Sequence, residues 1–344
     1  MGVWLRKLIG YTIIAVSVAI GWAWTQYDVY LDNPLYDGDE VIAYTVKPGS
    51  SVKSIARELN EAEVILQPQF FEWFARSEGL AQRIQVGEYQ IRGEMTPRQL
   101  LEDMSQGKVI QYPMTIVEGW SFKQLRAFLA QHDAIEHTII SLSDEQVMDQ
   151  LGYSGVHPEG RFLPDTYHFP RGTSDLEFLK RAYQMMDSTL DKLWQQREQG
   201  LPIKTPYEAL ILASIIEKET AVPAERPEIA GVFVRRLQKR MRLQTDPTVI
   251  YGMGEAYDGN IRRRDLRQDT PYNTYTRRGL TPTPIAMPSA AAIEAALHPK
   301  PGNTLYFVAR GDGSHQFSAT LVEHNRAVVK YQLKGRQQPF SSNP

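Results

Sequence analysis

The chain has 344 residues, enough for two or three domains with cores of their own. A net charge of −2 and a 23% share of charged residues give no sign of a nucleic-acid binder. Cysteine is absent, which excludes disulfides, thiolate zinc sites and a cysteine nucleophile, while 17 Tyr and 6 Trp suit either carbohydrate contacts or an ordinary core.

Leu8 to Trp24 is an unbroken apolar or weakly polar run behind Arg6 and Lys7. It sits at the short end of the roughly 17–25 residues that span a bilayer, and residues 1–27 are expected to form a cytoplasmic tip and a transmembrane anchor. The basic pair places the N-terminus in the cytoplasm and the rest of the chain outside. Trp22 and Trp24 read as interfacial aromatics, and no small-x-small site precedes a polar start, which argues for a retained anchor over a cleaved signal. Residues 28–40, polar and acidic with Asn-Pro and Asp-Gly turn signals, read as a tether.

A small α/β unit is expected over 41–110. Its pieces are a strand from Val41 to Val46, a turn at Lys47-Pro48-Gly49-Ser50, and helices from Ser51 to Leu59 and Gln67 to Ser77. A strand from Val86 to Ile91 follows, then a helix capped by Thr96 and Gln99 and ending at Gly107.

A larger mixed α+β domain is expected over 111–340. Met114 to Val117 reads as a strand, and Ser121 to Gln131 as a helix with a capping box at Ser121 and Gln124. Glu159 to Phe169, EGRFLPDTYHF, reads as a fixed loop, and Ser174 to Gln199 as a long amphipathic helix. The helix Thr205 to Thr220 is apolar on nearly every side from Ala209 to Ile216, so it belongs inside the domain. Thr205 caps it, Pro206 fits its first position, and Glu208 completes a capping box. Near its end it carries Glu217 and Glu219. Ser214, Glu217 and Lys218 share one sector, whereas Glu219 falls between Leu212 and Ile215. A carboxyl in apolar surroundings has its pKa raised and can act as an acid near neutrality, so this helix is the place to expect chemistry. Helical geometry alone leaves both glutamates open.

Beyond it come a helix from Ala224 to Arg240 and a loop, Met241 to Gly252, that carries Gln244, Thr245 and Asp246. Tyr272-Asn273-Thr274-Tyr275 and Gly279 to Ile285 follow, then a hairpin around Gly311-Asp312-Gly313 and a last helix with Glu323-His324-Asn325. The histidines show no metal-binding spacing, and His315 and His324 read as structural. The arginines from Arg235 to Arg242 and from Arg262 to Arg264 read as a solvated face or an anionic-substrate region.

Two resemblances organise these pieces. Tyr44 to Ile65 resembles the opening of a LysM module, a βααβ unit that holds N-acetylglucosamine polymers. EGRFLPDTYHF, ASIIEKET (Ala213 to Thr220), MRLQTDPTVIYG (Met241 to Gly252), YNTY (Tyr272 to Tyr275) and the Phe317 to Val328 segment follow, in order, the pattern of the YceG-like family of endolytic murein transglycosylases. The resemblance covers essentially the whole chain. It implies cleavage of the β-1,4 bond between N-acetylmuramic acid and N-acetylglucosamine to leave 1,6-anhydro ends, with Glu217 as the catalytic acid and Glu219 structural. Gln244, Thr245, Asp246, Tyr272 and Asn273 would line the cleft, with no cofactor and no metal. It also implies peptidoglycan strands as substrate, peptidoglycan synthases (penicillin-binding proteins) as partners, no nucleic acid, and a single-pass inner-membrane protein with a periplasmic catalytic domain. One departure is visible: Thr281 and Thr283 stand where the family usually has proline and glycine. The rival expectations are a non-catalytic peptidoglycan-binding scaffold and a hydrolytic muramidase.

Overall fold

The apolar N-terminal run belongs to a longer helix, α1 (Gly2–Asp32), in a computed structural model that describes residues 2–333. Its Trp4–Asp32 stretch is long and apolar enough to cross a membrane by length and composition. The stretch expected to be a tether over 28–40 differs: it stays helical to Asp32. Tyr27 and Leu31, four apart and so on one face, are buried with Leu35 in the core of the first unit. Tyr27 packs on Trp73 with ring centroids 4.6 Å apart, Trp24 meets Trp73 edge-on, and Arg98 pairs with Asp32 at 3.1 Å.

The chain divides into two units, Met1–Tyr112 with His168–Gly172, and Pro113–Tyr167 with Thr173–Pro344. After α1 the first holds β1 (Val41–Val46), α2 (Val52–Glu61), α3 (Pro68–Ser77), β2 (Gly87–Arg92) and α4 (Pro97–Gln106). β1 and β2 pair antiparallel with Tyr44 opposite Tyr89. Val52, Ile55, Ala56 and Leu59 recur at helical spacing, and all four are buried against α3 and the strand pair.

Apart from Tyr112 and His168–Gly172, the second unit holds the elements that follow, β3 (Tyr112–Thr115), α5 (Phe122–Leu129), β4 (Ile135–Glu136), α6 (Asp144–Leu151), β5 (Thr166–Phe169), β6 (Thr173–Ser174) and α7 (Asp175–Gln195). Then come α8 (Pro206–Glu219), a 3-10 turn at Pro223–Glu225, α9 (Arg226–Gln238), α10 (Asp246–Met253), α11 (Arg263–Arg267) and α12 (Ala290–Leu297). The antiparallel hairpin of β7 (Tyr306–Ala309) and β8 (His315–Ser318) and the helix α13 (Leu321–Tyr331) close it. The fold is mixed α+β.

α8 is the central helix of this unit. Every residue from Ala209 to Ile216 is buried, and α7, α9 and α12 pack around it. Thr205 caps it as expected, but the capping box is only half formed, because Glu208 accepts from Lys204 N at 2.5 Å instead of from the cap residue. The loop expectations also give way in two places. Thr166–Phe169 is a strand with Tyr167 and Phe169 buried on alternate positions. The stretch after Thr245 is helix α10, for which Pro247 in the first turn supplies a preset φ.

Candidate active site

Glu217 ends up in the wall of a cavity of about 750 Å³, together with Thr115, Glu118, Asp165, Glu219 and Arg226. Three hydrogen bonds from two residues hold its carboxyl. Oε1 accepts from Arg226 Nη2 at 2.9 Å, and Oε2 accepts from Ser289 N at 2.9 Å and Ser289 Oγ at 2.5 Å. Ser289 is the N-cap of α12, so the carboxyl lies at the positive end of that helix. Arg226 opens α9 and also reaches Glu118 at 3.0 Å. With only 5% of its side chain exposed, Glu217 is fixed in one orientation.

The segment that presents Ser289 is itself tied down. Ile285 N donates to Ser214 Oγ on α8 at 3.0 Å, and Met287 exchanges backbone bonds with Gly119 and Trp120. Thr281 and Thr283, the departures from the family pattern, are satisfied locally: Thr281 Oγ1 donates to Thr283 O at 2.8 Å, and Thr283 Oγ1 pairs with Tyr272 OH at 2.9 Å.

Glu159, from the loop that begins EGRF, is 3% exposed and braces this region. Its oxygens accept from Phe122 N and Tyr251 OH, each at 3.1 Å. Burial pushes its carboxyl up to about 7 against those two hydrogen bonds. Next to it Gly160 has φ +78, and a Cβ there would stand 2.5 Å from Pro284 Cβ. Gly160→Ala therefore meets both left-handed strain and a ring that cannot yield. We expect a loss of about 2 kcal/mol or more, read as a lower thermal midpoint.

Glu219 faces the other way from Glu217. It lines the first cavity and also a second one of about 490 Å³, where it accepts a short hydrogen bond from Thr245 Oγ1. Burial pushes its carboxyl up to about 7, with Thr245 opposing. The raised pKa expected on this helix is thus found at Glu219.

The other expected site residues separate. Gln244 and Asp246 line the second cavity; Gln244 sits at φ 50, an uncommon conformation for a residue with a side chain, and Asp246 accepts from Tyr275 OH at 2.5 Å. Thr245 is buried between Glu219 and Thr274. Tyr272 packs edge-on to Tyr251. Asn273, 1% exposed, uses its amide on the carbonyls of Asp265, Leu266 and Gln268 and its oxygen on Tyr275 N, so it fixes a loop and lines neither cavity. His315 pairs with Glu225 at 2.7 Å.

Sequence reasoning missed Arg226 and Ser289. Met287-Pro288-Ser289 before an Ala-rich apolar run is an N-cap signal that marks the start of α12, but nothing local links it to Glu217, 72 positions earlier.

Residues 44–330 match the family described as YceG-like. The chain is similar to proteins named endolytic murein transglycosylase. One, from Bacillus subtilis, is 32% identical over 329 residues, spanning 91% of each chain. Another, from Streptococcus pneumoniae serotype 2, is 25% identical over 342 residues, spanning 89% of this chain and 61% of the streptococcal protein. Among solved structures, that of a YceG-like protein from Listeria monocytogenes is similar, with 29% identity and a TM-score of 0.50 over 84% of this chain and 99% of that one.

Proposed function

This chain belongs to the YceG-like family, and we propose that it is an endolytic murein transglycosylase whose acid–base residue is Glu217. It cleaves the β-1,4 bond between N-acetylmuramic acid and N-acetylglucosamine inside glycan strands. One carboxyl serves both halves of the reaction. Glu217 gives its proton to the glycosidic oxygen as the bond to C1 breaks. The muramic 6-hydroxyl then bonds to C1, and its proton returns to Glu217. The atoms balance without water, and the nucleophile arrives on the substrate at the high effective molarity of an intramolecular reaction. A hydrolytic glycosidase needs a second carboxylate to attack or to activate water.

The observation that carries this assignment is the fixed carboxyl of Glu217 in the cavity wall, held by Arg226 and by the cap of α12. A preorganised acid loses little in orientation when the reaction begins. A second reading gives the proton transfers to Glu219, which lines the same cavity and whose carboxyl burial pushes up to about 7. Gln244 and Asp246 are the proposed contacts for acetamido and hydroxyl groups, with Thr245, Tyr272 and Asn273 holding the surrounding loops in place.

The remaining assignments are proposals of the same reading. α1 anchors the protein in the inner membrane with its N-terminus in the cytoplasm, which sets the catalytic unit beside newly made strands and near peptidoglycan synthases. The β-α-α-β order of the first unit supports a LysM-like role in holding glycan.

Mass spectrometry of the fragments released from purified sacculi tests the reaction. Ends lighter by one water are expected. Reducing ends would make the protein a muramidase, and binding without release would make it a scaffold.

A further inference from the structure

The second cavity holds a charge that the reaction does not use. Arg236 on α9 is 7% exposed, yet no carboxylate oxygen lies within 4.0 Å of it among the described residues. Its Nε donates to Leu305 O and its Nη1 to Leu243 O, both at 2.7 Å, while Nη2 has no partner among the described residues. The guanidinium carbon lies 5.2 Å from the centre of the Tyr306 ring, in the cavity wall. The carboxyl of Glu219 shares that wall, but burial keeps it largely protonated below about pH 7, so it does not neutralise the arginine there. Asp246 is turned to Tyr275 OH. Buried cations are normally paired with a carboxylate, and Nη2 is the guanidinium nitrogen of Arg236 left open to a ligand.

We propose that this second cavity is a carboxylate-binding subsite in which Arg236 anchors the acid group carried by the muramic acid substituent. The inference rests on the function proposed above and names the part of the strand that the pocket reads. A carboxylate matches the planar fork of a guanidinium, and its one negative charge balances the one charge of Arg236, where a dianionic phosphate would leave an excess beside Asp246. On a glycan strand that carboxylate has two sources: the lactyl group when no peptide is attached, or the peptide itself when one is.

The test measures binding by calorimetry to the full chain in detergent micelles, carrying Glu217→Gln so that the ligand survives. Three glycan fragments of equal length serve as probes: one bearing stem peptides, one stripped to the lactyl acid, and one stripped with its lactyl acid converted to the methylamide. The methylamide is expected to bind about tenfold more weakly than the preferred acid form, the scale of a lost hydrogen bond to a charged group. Whichever acid form binds tighter identifies the source. Arg236→Lys, which keeps the charge and loses the fork, is expected to cut the preference to about twofold. Because Arg236 also holds the backbone carbonyls of Leu305, Leu243 and Arg242, Leu321→Glu provides a second variant. Leu321 is exposed, lines the same cavity and opens α13, where an acidic residue is tolerated, so its carboxylate competes with the ligand.

Equal binding of all three fragments overturns the subsite, as does a preference left intact in both folded variants. Binding needs no turnover. If the binding variant prefers the acid forms while the wild-type chain releases no anhydro ends, the reaction is lost and the subsite kept; release by the wild type with equal binding of all three fragments does the reverse.

Discussion

The Glu217→Gln protein is expected to release anhydro ends about a thousandfold more slowly than the wild type while remaining folded. The amide preserves the shape of the side chain and one oxygen for Ser289, but it can neither give a proton to the leaving oxygen nor take one from the 6-hydroxyl. Losing a positioned acid–base group costs roughly 10²–10⁴ in rate, and here the same group acts twice. The fold is disturbed less. The amide oxygen can still accept from Ser289 N and Oγ, which turns its NH2 toward Arg226 Nη2, donor against donor. That conflict costs about 1–3 kcal/mol, visible as a modestly lower thermal midpoint. Glu219→Gln is the control. If Glu217 is the acid, Glu219→Gln keeps activity within about tenfold, since it changes a positioning contact to Thr245 and removes no transferred proton. The opposite pattern, with Glu217→Gln active and Glu219→Gln dead, would move the chemistry to Glu219.

Stability of the second unit is expected to fall as the pH rises from about 5 to about 8, by an amount that two buried carboxyls dominate. Glu159 and Glu219 each have an ordinary value of 4.5 and a folded value of about 7, in both cases because burial disfavours the charge. The folded state therefore binds more protons than the unfolded state between those values. Their contribution is fully present below about 4.5, declines through the interval and is lost above about 7. Each shift corresponds to something on the order of 3 kcal/mol. Glu159→Gln isolates one of them. Glutamine can accept from Phe122 N through its oxygen and donate its NH2 to Tyr251 oxygen, so the two hydrogen bonds survive without a charge to bury. Thermal midpoints of wild type and variant across pH 4.5–8.5 should converge at the acid end and separate at the alkaline end, with the variant the more stable there. Parallel curves would mean that Glu159 does not titrate in this range.

What could be read from the sequence was what depends on neighbours. The burial of α8 follows from its unbroken apolar residues, Ala209 to Ile216, and its start from Thr205 and Pro206. Capping boxes at Thr96 and Ser121 marked two further helix starts. Contacts between distant segments were not readable. Ser289 meets Glu217 across 72 positions, and Tyr251 meets Glu159 across 92. Local signals also misled where tertiary packing overruled them. The Gln-Thr-Asp-Pro run reads as part of a loop, yet Thr245, buried between Glu219 and Thr274, starts a helix. Of the arginine cluster, read as a solvated face or an anionic-substrate region, Arg235 and Arg236 depart from the first alternative, because both reach backbone carbonyls near β7.

The unbroken run of α1 through Trp24 into the buried Tyr27 and Leu31 has a mechanical consequence. With the apolar part of that helix in a bilayer, as proposed, the first unit is mounted on a stiff mast instead of a leash. Its height above the lipid and its compass heading are both written in residue count. One residue added between Trp24 and Tyr27 would lift it by about 1.5 Å and swing it by about 100°.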